Sequence, residues 1–379
     1  MKQVFLAVIV AAVVVVGSVG IYFLLTDDDA NGDISIIDGS GTKITLSEPI
    51  NSAIAVNVNV PKAMKILGLE DKVAGLSFSP TSNDSNFATY SPMFPNAVKM
   101  SDYNSMSAEQ VASITKYVIC PVASMTVSAV NQTAFEQLGI TVIRLDCNGE
   151  SALDDFQKLI TLFGNTEEST AAFGEYMDTY NTVVDAVISA ASLRTTDPSF
   201  LMYMNSSTAF YNQTSELSAM IESIHGTNAL RGISGLNLTG VTNAAGELGI
   251  QETIKAMDSS NNIDKIFIRA TAAQATSETT ALNAWNACLL NTNTFYSSLS
   301  AIGANSTDHI FLFNTNIMSG PLSYVGYVLI AKAFGISTGF DATGLIDVYN
   351  QKYGFDEQTT GLLYTITITG GTASAQKLV

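Results

Sequence analysis

Apolar and polar positions along this chain follow two periods, one near two residues and one near 3.6, and the chain switches between them repeatedly. Over Asp33–Leu46 (DISIIDGSGTKITL) two short alternating runs flank Gly39-Ser40-Gly41, which predicts a β-hairpin. Ala53–Val60 is a β-branched run and reads as a strand. Pro61 then opens a helical pattern, PKAMKILGL, in keeping with proline at a first helical position. Lys72–Phe78 predicts a strand, Ala108–Ile114 a helix and Tyr117–Cys120 a short buried strand. Asn131–Leu138 follows as a helix, Thr141–Asp146 as a strand and Leu153–Phe163 as an amphipathic helix. Strands alternating with helices imply βαβ units around a parallel sheet.

A longer element comes next. Thr166 supplies an N-cap and Glu167-Glu168 an acidic first turn, and no proline follows until Pro198. A helix over Glu167–Leu193 would reach about 40 Å, with Gly174 its weak point. Alternation then resumes: strand Ser199–Met204, helices Glu216–Ser223 and Gly249–Met257, strand Lys265–Ile268, helix Ser277–Leu290, strand His309–Phe313 and helix Ser323–Phe334. The architecture is α/β in two halves: an N-terminal lobe over 33–165, an interlobe helix over 166–195 and a C-terminal lobe over 196–379. Thr359–Val379 stays open, since TGLLYTITITGG fits an added edge strand or a frayed tail.

The first 25 residues set the address. Val4–Leu25 is charge-free, with Lys2 before it and Asp27-Asp28-Asp29 after it, long enough to cross a bilayer core with the bulk of the chain outside. A cleaved signal peptide competes with an uncleaved transmembrane anchor; the length of the run and its Tyr22-Phe23-Leu24-Leu25 ending favour the anchor. Residues 26–32, TDDDANG, form a solvated linker. Asn83, Asn131, Asn205, Asn212, Asn237 and Asn305 each begin an N-x-[ST] sequon, and on an exported chain they are candidates for glycosylation.

Composition narrows the function. Against 34 Asp+Glu stand 17 Lys+Arg, a net charge of −17 that argues against a nucleic-acid partner. A hydrophobic share of 47% excludes disorder. Two His and three Cys exclude a structural zinc framework, and His225 and His309 are too far apart in the pattern to hold a bare metal ion. Gly-rich GISGLNLTG (232–240) matches neither a P-loop nor a dinucleotide fingerprint.

The order of blocks carries a resemblance. A hairpin ending in ITLSEPI precedes KILGLEDKVAGLS, then MSAEQVASITKYVICP and LGITVIRLD; LITLFGNTEES leads into the long helix, and SLSAIGANSTDHIFLFNTN into a closing one. This resembles the substrate-binding proteins of prokaryotic ABC importers for iron-siderophore complexes and cobalamin, over roughly Asp33 to Tyr353. The resemblance implies two Rossmann-like lobes bridged by a rigid helix, a ligand in the cleft, and a membrane permease with its ATPase as partners. It implies no intrinsic cofactor; the transported ligand would be a ferric chelate or a corrinoid, and the carrier a monomer. It also implies an acid on each lobe for permease docking. Asp102 is the candidate in the first lobe. In the second, Thr227 stands where relatives commonly carry Glu, which leaves Glu216 or Glu222 as substitutes.

The chemistry agrees with binding rather than turnover. Ligands of open α/β sheets sit at the carboxyl ends of strands. Here those ends hold Asn57 and Asn59, Ser77 and Phe78, Asn205 and Tyr211, Arg269, and Asn314, Asn316 and Met318, with Tyr90 a further candidate. Amides, hydroxyls, aromatics, a thioether and one cation suit a bulky organic ligand, and no activated nucleophile stands among them. Arg269 suits a carboxylate or the acidic face of an iron chelate. Cys120 and Cys147 end neighbouring strands, where a disulfide or two buried thiols are both open; Cys288 has no evident partner. Tyr203 and Trp285 read as core. A structural or adhesive surface glycoprotein is the competing class, and an enzyme on the same scaffold a weaker third.

Overall fold

The structure is a computed structural model, and it describes residues 33–122, 126–148, 151–204, 209–211, 215–229, 241–243, 258, 262–288, 295–299, 302–303, 305–314, 317–318 and 320–379. The expected membrane segment, the linker over 26–32 and the helix Gly249–Met257 lie outside the described residues, as do Asn205, Asn212, Asn237 and Asn316. Among the described residues no helix is long and apolar enough to cross a membrane. Two compact units divide the chain: one takes the residues up to Cys147 with Ser151–Gly174, the other Asn148–Glu150 with Glu175–Val379.

Unit 1 opens with the hairpin β1 (Ile34–Ile37) and β2 (Lys43–Leu46), paired antiparallel. Its sheet is parallel throughout. Strands β3 (Ala53–Val56), β4 (Val73–Ser77), β5 (Val98–Lys99), β6 (Tyr117–Cys120) and β7 (Thr141–Arg144) lie in the order β5-β4-β3-β6-β7. The chain thus builds outward from β3 to β5, then returns to the other side of β3, and the order reverses between β3 and β6. All four residues of β3 are buried, as expected of a central strand covered on both faces. Covering helices are α1 (Asn59–Ile66), α2 (Asn83–Tyr90), α3 (Ala108–Ala112), α4 (Ala129–Gln137) and α5 (Ala152–Leu162). Side-chain caps start two of them: Ser107 Oγ accepts from Gln110 N at 3.2 Å, and Ser128 Oγ from Asn131 N at 3.2 Å. Helix α1 begins two residues before Pro61, and α2 has no counterpart in the sequence pattern because its NDSNFATY carries no apolar stripe.

Helix α6 runs without a break over Glu167–Ala191; Glu167–Gly174 count with unit 1 and the remainder with unit 2. The described strands of unit 2 are β8 (Ser199–Met204), β9 (Ala209–Tyr211), β10 (Thr227–Asn228), β11 (Val241–Asn243), β12 (Lys265–Ala270), β13 (Ser306–Asn314), β14 (Leu363–Thr369) and β15 (Thr372–Lys377). Strands β10, β8, β12 and β13 pair in parallel, in that order, so the sheet reverses its order between β8 and β12. Antiparallel strands extend it on both sides, β9 and β11 beyond β8, β14 and β15 beyond β13. Among the described residues, helices of this unit include α7 (Glu216–Ser223), α8 (Glu278–Ala287), α9 (Ser323–Ala333) and α10 (Ala342–Tyr353).

Thr359–Val379 is no frayed tail. Strand β14 is interior to the sheet, with Leu363, Tyr364 and Ile366 fully buried, and β15 is the edge strand. Gly370 and Gly371, at φ of 56° and 78°, make the two-residue turn between them, a conformation that L side chains resist. One core cluster of this unit joins Leu201, Ile268, Trp285, Leu312, Tyr364 and Ile366. Tyr203 and Trp285 belong to it, as their spacing suggested.

Candidate functional site

In each unit the reversal of strand order opens a position beyond the carboxyl ends of two neighbouring strands, because the connections there leave to opposite faces of the sheet. In unit 1 that position lies past β3 and β6. Asn57 follows β3 in a left-handed conformation, φ 73°, and its N–H donates to Ser77 O at 2.9 Å. Its Oδ1 accepts from Val58 N, so the side chain shapes the turn into α1, a role asparagine tolerates better than most residues.

Past β4 the expected pair is present but turned inward. Phe78 and Tyr90 rings meet at 5.5 Å, and Phe78 is 1% exposed. A side chain leaving a strand covered on both faces enters the core, which removes Phe78 from the ligand surface. Asn83 is buried as well: its Oδ1 accepts from Phe78 N at 2.8 Å and its Nδ2 donates to Met100 O at 3.0 Å. This sequon therefore braces two loops and offers no free amide to a glycan. Beside it a depression of about 660 Å³ is lined by Ser82, Asp84, Lys99, Asp102, Ser105 and Gln110. Lys99 pairs with Asp84. Asp102, half-buried, accepts from Asn104 N at 3.0 Å and Ser105 Oγ at 2.5 Å, which fixes its own turn. Asn131 donates from Nδ2 to Asn104 O at 3.1 Å, joining the start of α4 to that turn.

The possible disulfide is absent: Cys120 and Cys147 are free, buried thiols. Cys120 stands opposite Arg144 in the parallel register, so Cys147 lies three residues farther along, about 10 Å at the strand rise. Burial pushes both thiols up, Cys147 the more strongly. Cys147 is held at φ 48°, its N–H donating to Asp155 Oδ2 at 2.9 Å. Asp155 is 2% exposed, and burial raises its carboxyl above the ordinary range, outweighing that hydrogen bond and Lys158, whose Nζ is 3.7 Å away. A carboxyl raised in the fold binds its proton more tightly native than unfolded. Stability from this group is therefore greatest at low pH and falls as pH rises from about 3.9 through the native value. Urea midpoints of the parent and Asp155→Asn chains, measured across pH 3.5–7, should diverge in the sense that the parent loses ground as pH rises. Parallel curves would refute this.

In unit 2 the reversal lies past β8 and β12. Arg269, the penultimate residue of β12, is exposed there, in register with Met204 and Phe313. Thr271 and Gln274 cap the turn that follows, Thr271 N donating to Gln274 Oε1 at 3.0 Å. Asn314 ends β13 at 1% exposure; its N–H donates to Leu362 O at 3.0 Å and its Nδ2 to Gln358 Oε1 at 3.4 Å. Gln358 in turn donates to Ala275 O at 3.3 Å, so the loop before β14 is stitched to the strand ends. Met318 is 1% exposed and sits under α9, its Cα 3.1 Å from where a Cβ on Gly326 would stand, so it packs and does not face a ligand. Tyr211 closes β9; its side chain and that of Glu216, the first residue of α7, are outside what the structure describes.

Other expected positions fall elsewhere. Glu222 accepts from Asn228 N at 3.3 Å, bracing α7 to β10 beside the amino end of β8. His225 lies 3.5 Å from Asp197, and His309 Nδ1 lies 2.7 Å from Asp264 O. Among the described residues no group of three His, Cys, Asp or Glu is placed to hold a metal ion. Asn305 is exposed, its Oδ1 accepting from Gly370 N at 2.8 Å. Sequence reasoning passed over Arg144 and Gln358. A lone arginine inside the apolar strand TVIRLD was the available signal, since a buried guanidinium requires partners.

No family model matches the chain, and no curated protein matches it. Solved structures do. The fold is that of the TroA-like periplasmic binding proteins. The TroA-like periplasmic binding protein FepB from Veillonella parvula is similar at a TM-score of 0.62 and 14% identity, over 89% of this chain and 100% of that one. Helicobacter pylori CeuE, solved with Ni(II) bound, gives 0.54 and 13% over 86% and 98%. A periplasmic heme-binding protein from Pseudomonas aeruginosa gives 0.52 and 13% over 75% and 92%. At such identity the likeness is one of fold.

Proposed function

We propose that this chain is an extracytoplasmic solute-binding protein of an ABC importer, a carrier and not an enzyme, which takes a metal chelate of the ferric siderophore or corrinoid kind and passes it to a membrane permease. One observation carries the reading: a fold likeness spanning the whole of a periplasmic binding protein and nearly all of this chain. The similarity to a heme-binding protein and to a Ni(II)-bound one supports a metal-bearing cargo. The charge-free run Val4–Leu25 supports export, with anchoring to the membrane as the favoured form. Arg269, exposed at the strand-order reversal, is our candidate contact for an anionic chelate, supported by amides and hydroxyls at neighbouring strand ends. Asp102 remains the candidate acid for permease docking on unit 1, and Asn305 is the exposed sequon among those described.

Trp285 is fully buried against Tyr296 at 5.5 Å, so its fluorescence is a poor reporter of strand-end binding. Titration calorimetry with ferric enterobactin, ferrioxamine B, haemin and cyanocobalamin is the direct test. At least one should bind saturably; a flat response to all four would sink the carrier reading. For an anionic chelate, Arg269→Ala should weaken binding roughly tenfold to a hundredfold, the worth of a charge-assisted hydrogen bond. Arg269→Lys should lie between, and an unchanged affinity would remove Arg269 from the site.

A further inference from the structure

Arg144 ends β7, one of the two edge strands of the unit 1 sheet, and is 8% exposed. Its guanidinium reaches both ends of the connection that leads from β6 to α4. Nη1 donates to Pro121 O at 3.2 Å and to Thr126 Oγ1 at 2.5 Å; Nη2 donates to Val127 O at 3.1 Å and to Gln132 Oε1 at 2.5 Å. The main chain of Arg144 is held in its turn by the N-terminal hairpin. Arg144 N donates to Asp38 Oδ2 at 3.0 Å, and Gly39 N donates to Arg144 O at 2.7 Å. Asp38, 4% exposed, is itself fixed by Ser40 N at 2.9 Å, Ser40 Oγ at 2.6 Å and Thr42 N at 3.0 Å. Gly39 has no room for a side chain, because a Cβ there would stand 2.7 Å from Val122 and 3.1 Å from Arg144 O.

A planar five-donor fork with no freedom to deprotonate is the side chain able to satisfy several carbonyl and amide oxygens at fixed angles. The connection it ties lies at the carboxyl end of β6, beside the reversal of strand order, where this fold places a ligand. We propose that Arg144 is the positioning residue for the two ends of this connection, its guanidinium binding Pro121 to Thr126 and Val127 so that the placement of these residues at the carboxyl end of β6, toward a ligand, is set by the hairpin and edge strand behind them. The proposal rests on the carrier reading for the word ligand; the clamp itself does not.

Hydrogen exchange followed by mass spectrometry, together with calorimetry on the four chelates above, tests both parts on the full chain. Parent, Arg144→Lys and Gln132→Leu chains are compared. In Arg144→Lys, amides of 126–128 should exchange at least tenfold faster while those of 53–56 keep their protection. Affinity for whichever chelate the parent binds should fall about 10–100-fold, as for outer partners that orient a contacting shell. Gln132→Leu, which removes one bond, should shift both readouts in the same direction by less, and it carries the comparison if Arg144→Lys does not fold. Unchanged exchange over 126–128 would overturn the clamp. Faster exchange with unchanged affinity would overturn the positioning role and leave a structural brace. If the parent binds none of the four, the carrier reading fails, and the clamp stands or falls on exchange alone.

Discussion

A chain ending at residue 360 should yield no stably folded second unit. Such a truncation removes β14 and β15, and β14 is the strand that closes the sheet against β13. Leu363, Tyr364 and Ile366 are each 0% exposed, and Tyr364 OH donates to Ala275 O at 3.2 Å. The last residues also tie back: Leu362 N donates to Val379 O at 2.9 Å, and Lys332 Nζ to Leu378 O at 2.8 Å. Ile366→Ala alone should cost about 2–5 kcal/mol, the range for a buried large-to-small change. Losing several such side chains, with the backbone ladder to β13, exceeds the ~5–15 kcal/mol a domain has in total. Limited proteolysis and urea unfolding of the truncated chain give the answer. Protease-resistant fragments of unit 2 with an unaltered urea midpoint would show that the hairpin is an ornament.

That strand was only half legible in the sequence, for a physical reason. TITIT alternates, and alternation reports a strand with two unlike faces but says nothing of its neighbours. Thr365 is 3% exposed and its hydroxyl reaches Ile310 O at 3.4 Å, so a residue that reads as solvent-facing is interior. The short parallel strands of unit 1 were clearer, since YVIC and TVIR are apolar runs of the length that only a covered sheet explains. Long-range placement was the weakest link for the site. Arg269 could be put at a strand end from KIFIRA alone, whereas the inward turn of Phe78 depends on α2, which the pattern does not announce. Met318 likewise looked free to face a ligand, whereas it is buried under α9.

Replacing Gly361 by alanine should be among the most damaging single changes in unit 2. Its φ is +71°, which costs an L residue roughly 1–2 kcal/mol. Space is the larger problem: a Cβ there would stand 2.0 Å from Ala275 O, 2.9 Å from Tyr364 OH and 3.1 Å from Gln358 Nε2. The carbonyl cannot retreat cheaply, because the turn over Ala272–Ala275 is capped by Thr271 and Gln274 directly after β12. Moving the 358–362 segment instead breaks the hydrogen bonds that Tyr364 and Gln358 make to that same carbonyl. Dihedral and overpacking costs together reach about 3 kcal/mol or more. Gly335 supplies the control, since it has the same φ of 71° with nothing within 4 Å of its Cβ position. Gly335→Ala should therefore show the dihedral cost alone. Equal shifts in urea midpoint for the two variants would mean that the contact with Ala275 is relieved for free. A larger shift for Gly361→Ala, accompanied by weaker chelate binding than in Gly335→Ala, would tie the loop before β14 to the strand end that carries Arg269.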